Sequence, residues 1–505
     1  MIDPFSLPTR ISAIVSDRAA STPHAPALAE AGRTWSYAAL QQEVESCAER
    51  LRGLGVRPGD RVMLVSENCV AQVALLFAIA SLDAWSINVN ARLSAHEIAA
   101  VRAHCTPRRV LYTTGASPDA LAHAARDGAA AVDTAGAAGG LMAGPLDAAC
   151  VPEPVQAGGD QVAALVYTTG TTGRPKGVML THANLLFVAA TSSALRGLRP
   201  SDHASGVLPV SHVYGLASVM LGTLYAGACL HLAPRFSADA LLAQIRGGVL
   251  SIVQGVPAMY AKLVALAGPR NAPIPSRLRF CYAGGSPLDP ALKRDVEALL
   301  GLPLHNGYGL TESAPTVSQT RLDAPRADTS VGLPIPGVAV RIVDAAGTDV
   351  APGDAGELWV RGPNVMAGYY RDPQQTAQAL RGGWLATGDV ARRDADGALF
   401  VLGRIKELII RGGFKVYPLE VEAALNAHPR VLQSAVVGMP LPAGDEEVVA
   451  FVEAAGPLGD DALRDWLRPR LAPYKRPARI VFLDALPAAP NGKILKSRLR
   501  QRLPA

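Results

Sequence analysis

A glycine- and threonine-rich stretch, LVYTTGTTGRPKGV at 165–178, has the residue types that surround phosphate groups. Hydroxyls and backbone N–H groups donate to phosphate oxygens, and glycine lets the chain wrap closely around them. The stretch departs from the common P-loop, in which a lysine directly follows the second glycine. Here Arg174 and Pro175 separate Gly173 from Lys176. The stretch therefore predicts nucleotide binding, and simple transfer of the γ-phosphoryl group is not the favoured reaction.

Six further segments follow in a definite order along the chain. They are LPVSHVYGL (208–216), YAGGSPL (282–288), HNGYGLTES (305–313), GWLATGD (383–389), GRIKELIIRGG (403–413) and PNGKILK (490–496). In the order and spacing of these motifs, from about Arg33 to Arg498, the sequence resembles the AMP-forming acyl-CoA synthetases of the adenylate-forming superfamily. The resemblance implies that a carboxylate and ATP give acyl-AMP and pyrophosphate, and that coenzyme A then gives acyl-CoA and AMP. ATP, Mg²⁺ and coenzyme A are the implied cofactors.

The physical problem in this reaction is charge. A carboxylate anion resists attack by a thiol, so coupling it to AMP supplies a good leaving group. The attack on the α-phosphorus crowds negative charge, which cations, backbone N–H donors and in-line positioning must relieve.

The resemblance places most of the site around ATP. The residues that it implies for ATP or AMP binding are Thr168, Thr169, Gly170, Thr171, Thr172, Gly173, Lys176, Gly284, Gly285, Ser286, Asn306, Gly307, Tyr308, Gly309, Thr311, Asp389 and Arg404. Among these, Tyr308 resembles the aromatic residue that stacks on adenine, and Asp389 and Arg404 resemble the residues that reach the ribose. Glu312 is the implied Mg²⁺ ligand. Taken singly, each motif is also compatible with an ordinary turn or a solvated acid.

Two residues are expected to act on the reacting carboxylate. The resemblance assigns to Lys493 the bridging of the carboxylate and the α-phosphate, and to His212 the orienting of the carboxylate. Because Lys493 lies far along the chain from Lys176, a C-terminal domain must fold back over the nucleotide to bring both to it. The context of Lys493 also fits relatives that lysine acetylation switches off, which predicts a lysine acetyltransferase and a deacetylase as partners.

Three segments are expected to line the acyl pocket, at 207–222, 281–288 and 305–320. They contain no Lys or Arg, so a second substrate carboxylate would be buried without a partner. The predicted substrate is an apolar monocarboxylic acid, either medium-chain aliphatic or aryl. The predicted lining residues are His212, Val213, Tyr214, Ala283 and Ala314.

The second half-reaction implies a rotation of the small domain. The hinge position of the family matches Lys406, and the positions that line the pantetheine tunnel or contact the CoA nucleotide match Arg92, Gly412, Gly413, Tyr474 and Arg476. An adenylating enzyme that loads a carrier protein instead of CoA is the main alternative. A non-catalytic nucleotide-binding module and a luciferase-like oxidation of the adenylate are weaker alternatives.

The elements that must position these residues are predicted to be layered α/β. Apolar runs of strand length alternate with helical patterns, which gives a large multi-layer N-terminal domain at 1–405 and a small, mobile α+β C-terminal domain at 406–505. One unit predicts a strand at 278–283 and a helix capped by Asp289 that ends before Gly301. The Ala-, Gly- and Pro-rich residues 116–160 are expected to be loosely structured.

Composition narrows the class of protein further. The 505 residues carry a net charge of only +5 with dispersed Lys and Arg, so no nucleic-acid footprint stands out. The six cysteines are widely scattered without zinc-ligand or disulfide spacing, which favours a reducing, cytoplasmic compartment. The first ten residues lack the pattern of a signal peptide, and the most apolar stretches are too short or too interrupted to span a membrane. No export and no transmembrane segment are predicted.

Overall fold

The computed structural model describes residues 7–133, 139–169, 175–268, 272–411, 414–441, 445–488 and 494–502. Within them, the helices are α1 (Ala13–Ser21), α2 (Tyr37–Gly53), α3 (Val70–Ser81), α4 (Ala95–Cys105), α5 (Pro118–Arg126), α6 (His182–Leu195), α7 (Gly222–Tyr225), α8 (Ala238–Arg246), α9 (Pro257–Ala267), α10 (Pro290–Leu300), α11 (Pro373–Ala379), α12 (Pro418–Asn426), α13 (Asp460–Leu467) and α14 (Lys496–Arg500). None of these helices combines the length and the apolar composition that crossing a bilayer requires.

Three sheets form the large N-terminal domain. The first contains β1 (Pro26–Glu30), β2 (Arg33–Ser36), β10 (His203–Gly206), β11 (Cys229–Leu232), β12 (Ile252–Gly255), β13 (Phe280–Ala283), β14 (Leu304–Gly309), β15 (Thr316–Gln319) and β16 (Leu333–Pro334), in the spatial order β16-β15-β14-β13-β12-β10-β11-β1-β2. The second contains β3 (Arg61–Ser66), β4 (Trp85–Asn90), β5 (Arg109–Thr113), β6 (Ala130–Ala131), β7 (Leu141–Ala143), β8 (Val162–Thr169), β9 (Pro175–Thr181) and β19 (Gly368–Tyr369), in the order β19-β9-β8-β4-β3-β5-β7-β6. The third contains β17 (Ala339–Val343), β18 (Gly356–Arg361), β20 (Leu380–Arg381), β21 (Trp384–Arg393) and β22 (Leu399–Arg404), with β21 paired to β18, β20 and β22.

The main core joins elements of the first two sheets. Every residue from Val70 to Ala80 of α3 is buried, and α6 is buried almost throughout. A helix that is apolar all round must be covered on all sides, and both helices belong to one cluster with strands of the first two sheets. The apolar stretches near 70–80 and 217–233, predicted to be buried core, are mostly buried.

The small C-terminal domain is built on shorter elements. β23 (Ile409–Arg411) and β24 (Phe414–Val416) form a two-stranded sheet, and β25 (Val431–Pro440), β26 (Glu446–Ala454) and β27 (Arg479–Phe482) form a three-stranded sheet. Apolar clusters lie on both faces of the three-stranded sheet, one of them packed against α12 and α13. The predicted mixture of α/β layers with a small second domain is confirmed.

Two local predictions from the sequence differ in their outcome. The unit at 278–301 folds as expected, except that its strand begins at Phe280 and not at 278. Asp289 accepts hydrogen bonds from the backbone N–H groups of Ala291 and Leu292, and Gly301 ends α10 with a φ of 68°. The expectation for 116–160 was partly wrong, because Ser117 caps α5 and β6 and β7 follow it. The many alanines hid a short amphipathic helix that begins with a proline in its first turn.

Candidate active site

The predicted adenine corner lies at the carboxyl ends of parallel strands. In β12, β13 and β14, the last paired row places Gly255 beside Ala283 and Ala283 beside Asn306. Loops that leave such a row form the usual ligand crevice of an α/β sheet. The glycine pair after Ala283 and the HNGYGLTES segment therefore begin side by side.

Glycine is needed at this corner for two separate reasons. Gly285 has a φ of +78°, which side chains of L-residues rarely adopt. A Cβ on Gly284 would lie 3.2 Å from the Tyr214 ring. The corner thus packs its bare backbone against Tyr214, with Ser286 half-buried at the next position.

Tyr308, Asp389 and Arg404 form one polar cluster. The Tyr308 hydroxyl donates to Asp389 Oδ2, and Arg404 Nε lies 3.2 Å from Asp389 Oδ1. Asp389 and Arg404 are paired across β21 and β22, so the sheet fixes their spacing. Burial and the Asp389 charge raise the pKa of Tyr308 well above its usual value, which keeps the phenol protonated as a donor.

A second cluster surrounds Glu312. Its Oε1 accepts a hydrogen bond of 2.8 Å from the Tyr369 hydroxyl, and Lys176 Nζ lies 5.3 Å from the centroid of the Tyr369 ring. Tyr369 is held there because β19 pairs with β9, the strand that carries Lys176. Burial and the Glu312 carboxylate raise the pKa of Tyr369, so this phenol also remains a donor.

The glycine- and threonine-rich stretch connects β8 to β9, which pair antiparallel with Thr168 beside Lys176. Gly170, Thr171, Thr172 and Gly173 lie outside the described residues, as does the side chain of Thr169. Both flanks of the predicted phosphate loop are therefore strand ends, and one flank brings Lys176 to Tyr369.

Other residues of HNGYGLTES support the backbone. The Asn306 amide donates to the carbonyls of Thr329 and Ser330, and its oxygen accepts from Gly307 N. A Cβ on Gly309 would lie 1.9 Å from the carbonyl oxygen of Pro315, so only glycine fits there. These contacts assign the Asn306 side chain to the framework, while Thr311 is buried in the turn that carries Glu312.

His212 follows a tight turn in which its N–H donates to the carbonyl of Pro209. Its Nδ1 accepts a hydrogen bond of 3.3 Å from the backbone N–H of Tyr214. An accepting Nδ1 carries no proton, so the neutral ring has its proton on Nε2. The imidazole can therefore donate from Nε2 to a carboxylate.

The three predicted acyl-pocket segments meet in the structure. The Tyr214 ring packs against Gly284, the residue that follows the buried Ala283. Ser218 Oγ lies 2.9 Å from Thr316 Oγ1. Val213 and Ala314 are also buried, and Ala314 has a φ of 59°. Apolar residues and two hydroxyls thus face each other across these segments.

The predicted CoA residues are only partly brought together. Arg411 Nη1 donates to the carbonyls of Tyr474 and Arg476, and the Tyr474 ring stacks on Phe414 at 4.6 Å. Arg411 and Phe414 flank Gly412 and Gly413, which lie outside the described residues. Arg92 lies after β4, on the second sheet of the large domain.

The predicted hinge and catalytic lysine occupy the start and the end of the small domain. Lys406 lies in a single helical turn, Ile405–Glu407, between β22 and β23. Lys493 lies outside the described residues. Just beyond it, Lys496 Nζ lies 3.2 Å from Glu407 and 2.8 Å from Glu422. These ion pairs connect Lys496, the last residue of the PNGKILK motif, to the predicted hinge turn.

Sequence reasoning missed Tyr369 and Arg196. Tyr369 has no motif that identifies it, because its role depends on the pairing of β19 with β9. Glu357, in β18, accepts from the N–H of Gly388, next to Asp389. No sequence spacing pointed to Arg196, a buried arginine just after α6.

All six cysteines are free thiols, and each is buried. The sequence spacing argued against a zinc site, yet His203, Cys229 and His231 on neighbouring strands have ligand atoms within 4.8 Å of one another. The two imidazoles lie 2.8 Å apart, His203 Nδ1 to His231 Nε2, which satisfies both atoms by a hydrogen bond. Strand pairing, not spacing along the chain, creates this cluster.

Layered sheets, a glycine corner at the strand ends and a carboxylate–arginine pair define a nucleotide-binding enzyme with a small second domain. The family profile described as AMP-binding enzyme matches residues 15–370, and the profile of the AMP-binding enzyme C-terminal domain matches residues 420–493. The chain belongs to this family. It is an acid–thiol ligase, an AMP-forming acyl-CoA synthetase that uses a carboxylic acid, ATP and CoA.

Individual relatives and solved structures align with nearly the whole chain. A feruloyl-CoA synthase of Amycolatopsis sp is 39% identical over 492 residues, which is 96% of this chain and 97% of that protein. The ATP-bound structure of MatB from Rhodopseudomonas palustris has a TM-score of 0.86 at 31% identity, covering 98% of this chain and 99% of that one. The o-succinylbenzoate CoA synthetase MenE from Bacillus subtilis, in complex with ATP and a magnesium ion, has a TM-score of 0.82 at 29% identity, covering 96% and 99%.

Proposed function

We propose that the protein activates an aryl carboxylic acid, with the residues described above in the roles that the family resemblance implies. The observation that carries the nucleotide part of the proposal is the Tyr308–Asp389–Arg404 cluster beside the glycine corner. Asp389 is a buried carboxylate oriented by a phenol and a guanidinium, and a carboxylate is the acceptor type that two ribose hydroxyls require. The bare backbone at Gly284 and Gly285 offers the flat surface that an adenine needs.

The first half-reaction needs the acid and the α-phosphate to be held in line. The Nε2–H of His212 donates to the substrate carboxylate and orients one oxygen toward the α-phosphorus. That oxygen forms the new P–O bond as the bond to pyrophosphate breaks. Lys493 offsets the charge that develops between the two groups, and Lys176 with the 168–173 loop holds the departing pyrophosphate.

Mg²⁺ fits the donor set at Glu312. This carboxylate is half-buried, and the neutral phenol of Tyr369 hydrogen-bonds one oxygen, which leaves the second oxygen available to a hard cation. When bound, the ion offsets negative charge on the ATP phosphates. Thr311, one residue earlier, is proposed to donate to phosphate.

The second half-reaction requires the thiol of CoA to reach the acyl carbon. We place the division between the domains at 405/406 and the pivot at Lys406, so that rotation withdraws Lys493 and admits pantetheine beside Gly412 and Gly413. Tyr474, Arg476 and Arg92 then contact the nucleotide part of CoA. The thiolate attacks the acyl carbonyl, and AMP leaves with the oxygen that came from the carboxylate.

The predicted pocket residues and the relatives both support this substrate class. Val213, Tyr214, Ala283 and Ala314 provide an apolar lining, and Tyr214 provides a flat ring. Among the relatives, a feruloyl-CoA synthase is 39% identical. An aryl acid is therefore favoured over a medium-chain aliphatic acid.

The test is a screen for acyl-CoA and pyrophosphate over acetate, malonate, hexanoate, decanoate, benzoate, cinnamates and amino acids, with and without CoA. We expect aryl acids to give the highest kcat/KM and thioester only when CoA is present. A preference for decanoate over every aryl acid would contradict the proposed class. Saturation by a carrier protein, but not by free CoA, would favour the carrier-loading alternative.

Two further proposals concern the cell. Acetylation of Lys493 by a lysine acetyltransferase would remove the charge needed for adenylation and leave thioester formation from supplied acyl-AMP intact. Normal pyrophosphate release from an acetylated sample would refute this. The six free, buried cysteines support a reducing, cytoplasmic location, which fractionation of cells would test.

A further inference from the structure

Arg196 is a buried cation with neutral partners. The residue is 3% exposed, and its guanidinium donates to the side-chain oxygens of Gln319 and Gln254 and lies 4.7 Å from the centroid of the Tyr282 ring. In the described parts of the chain, no carboxylate forms an ion pair with it. Buried charges in proteins are normally paired, so a guanidinium with only amide and carbonyl acceptors indicates a missing anionic or strongly accepting group.

The two glutamines add unused donors to the same place. Gln254 and Gln319 are each 0% exposed, and each turns its oxygen toward Arg196. Their Nε2 groups are buried and have no hydrogen-bond partner among the described residues. The cluster of Arg196, Gln254 and Gln319, hereafter the donor cluster, therefore presents N–H groups in excess of the acceptors around it.

The donor cluster contacts all three segments that are predicted to line the acyl pocket. Arg196 contacts one residue of each segment predicted to line that pocket: the carbonyl of Ser218 at 3.5 Å, the Tyr282 ring and the Gln319 amide. Its charge also acts on Tyr214, where it partly opposes the rise in pKa that burial causes. The three segments contain no Lys or Arg, but Arg196, just after α6, contacts all three, so a second polar group on the substrate would have a partner.

We propose that the donor cluster forms the end of the acyl pocket opposite the reacting carboxylate, and that the substrate bears an oxygen acceptor there. An aryl acid with a hydroxyl, phenolate or carboxylate oxygen on the far side of its ring meets this chemistry. The oxygen accepts from the guanidinium or the free amide N–H groups, and the apolar residues cover the ring. The inference rests on the proposed function and specifies its substrate.

The experiment compares cinnamic acids that differ at one position of the ring. The 4-hydroxy and 4-methyl compounds have nearly the same size, and only the first has an acceptor; 4-carboxycinnamate adds an anion. For the wild type, we expect kcat/KM for acyl-CoA formation to favour the 4-hydroxy or the 4-carboxy acid over the 4-methyl acid by about 10- to 100-fold, as for a hydrogen bond to a charged donor. The difference should lie mainly in KM, because the contact is distant from the reacting atoms.

The variant Arg196→Met removes the guanidinium and should reduce this preference to within about threefold. The matched control is Arg109→Met, because Arg109 in β5 also donates to backbone carbonyls, those of Leu54 and Gly144, but lies in the second sheet. This control should keep the wild-type preference. If Arg196→Met does not fold, Gln254→Leu removes one arm of the donor cluster and should lower the preference by about 3- to 10-fold.

Each outcome separates the two proposals. Turnover of all three acids with no preference in the wild type, or an unchanged preference in Arg196→Met, would overturn the donor-cluster proposal and leave the proposed function standing. Absence of turnover with every aryl acid, while aliphatic acids react, would overturn the proposed function itself.

Discussion

The hydroxyl of Tyr308 offers the sharpest test of the nucleotide site. If Asp389 binds the ribose, the phenol has a positioning role, because it holds one carboxylate oxygen while Arg404 holds the other. The variant Tyr308→Phe keeps the aromatic ring for stacking on adenine and removes only the donor. The carboxylate then loses one of the contacts that orient it, while the contact with Arg404 remains.

The expected magnitude follows from the kind of hydrogen bond. A neutral donor to a buried carboxylate contributes about 1.5–3 kcal/mol, which corresponds to about 10- to 100-fold in binding. We therefore expect the KM for ATP to rise by about that factor and the KM for the acid to change little. The assay is acid-dependent pyrophosphate release over a series of ATP concentrations, supported by direct measurement of AMP binding.

The chain provides a matched control. Tyr112 donates to Asp127 Oδ2 at 2.8 Å, a contact of the same chemistry at the end of α5. Tyr112→Phe should affect stability without changing the KM for ATP. An unchanged KM for ATP in Tyr308→Phe, or equal rises in both variants, would refute the role given to the Tyr308–Asp389 contact.

Three other changes test separate parts of the account. Glu312→Gln should lower the rate of pyrophosphate release by at least about 100-fold, because the substitution removes a hard anionic ligand of Mg²⁺. It should also raise the Mg²⁺ concentration needed for half-maximal activity. An unchanged Mg²⁺ requirement would exclude Glu312 as a ligand. Lys493→Ala should abolish adenylation but retain acyl-CoA formation from supplied acyl-AMP, measured by chromatography, and loss of both steps would contradict the two-orientation scheme. Burial lowers the pKa of His305 from 6.5 to about 4. As the pH falls, this histidine therefore takes up a proton in the unfolded chain before it does so in the folded protein. The free energy of unfolding then falls by about 3 kcal/mol between pH 6.5 and pH 4. His305→Gln should therefore show a smaller drop in Tm between pH 7 and pH 4.5 than the wild type, and an equal drop would contradict the assignment.

The sequence was sufficient for features that depend on neighbouring residues. Asp289 and Gly301 marked the ends of α10 because capping chemistry is local, and the apolar run of α3 predicted its burial. The motifs also identified which residue types belong together. Their roles at ATP came from the family resemblance, because a threonine-rich turn or a lone aspartate has many uses.

Contacts between distant parts of the chain could not be derived in this way. Tyr369 reaches Glu312 across 57 positions, and Arg196 reaches Gln319 across 123. Both contacts depend on how strands pair and on which side of α6 faces the first sheet. The three predicted pocket segments do lack Lys and Arg, but Arg196, just after α6, supplies a positive charge beside them.

The most direct test of the central claim follows the oxygen of the substrate. A carboxylic acid labelled with ¹⁸O in both carboxyl oxygens is converted with ATP and CoA, and the products are separated and analysed by mass spectrometry. If the carboxylate attacks the α-phosphorus and the thiol then displaces AMP, each turnover leaves one ¹⁸O in AMP and none in pyrophosphate. Label in inorganic phosphate, with ADP as the nucleotide product, would contradict the account.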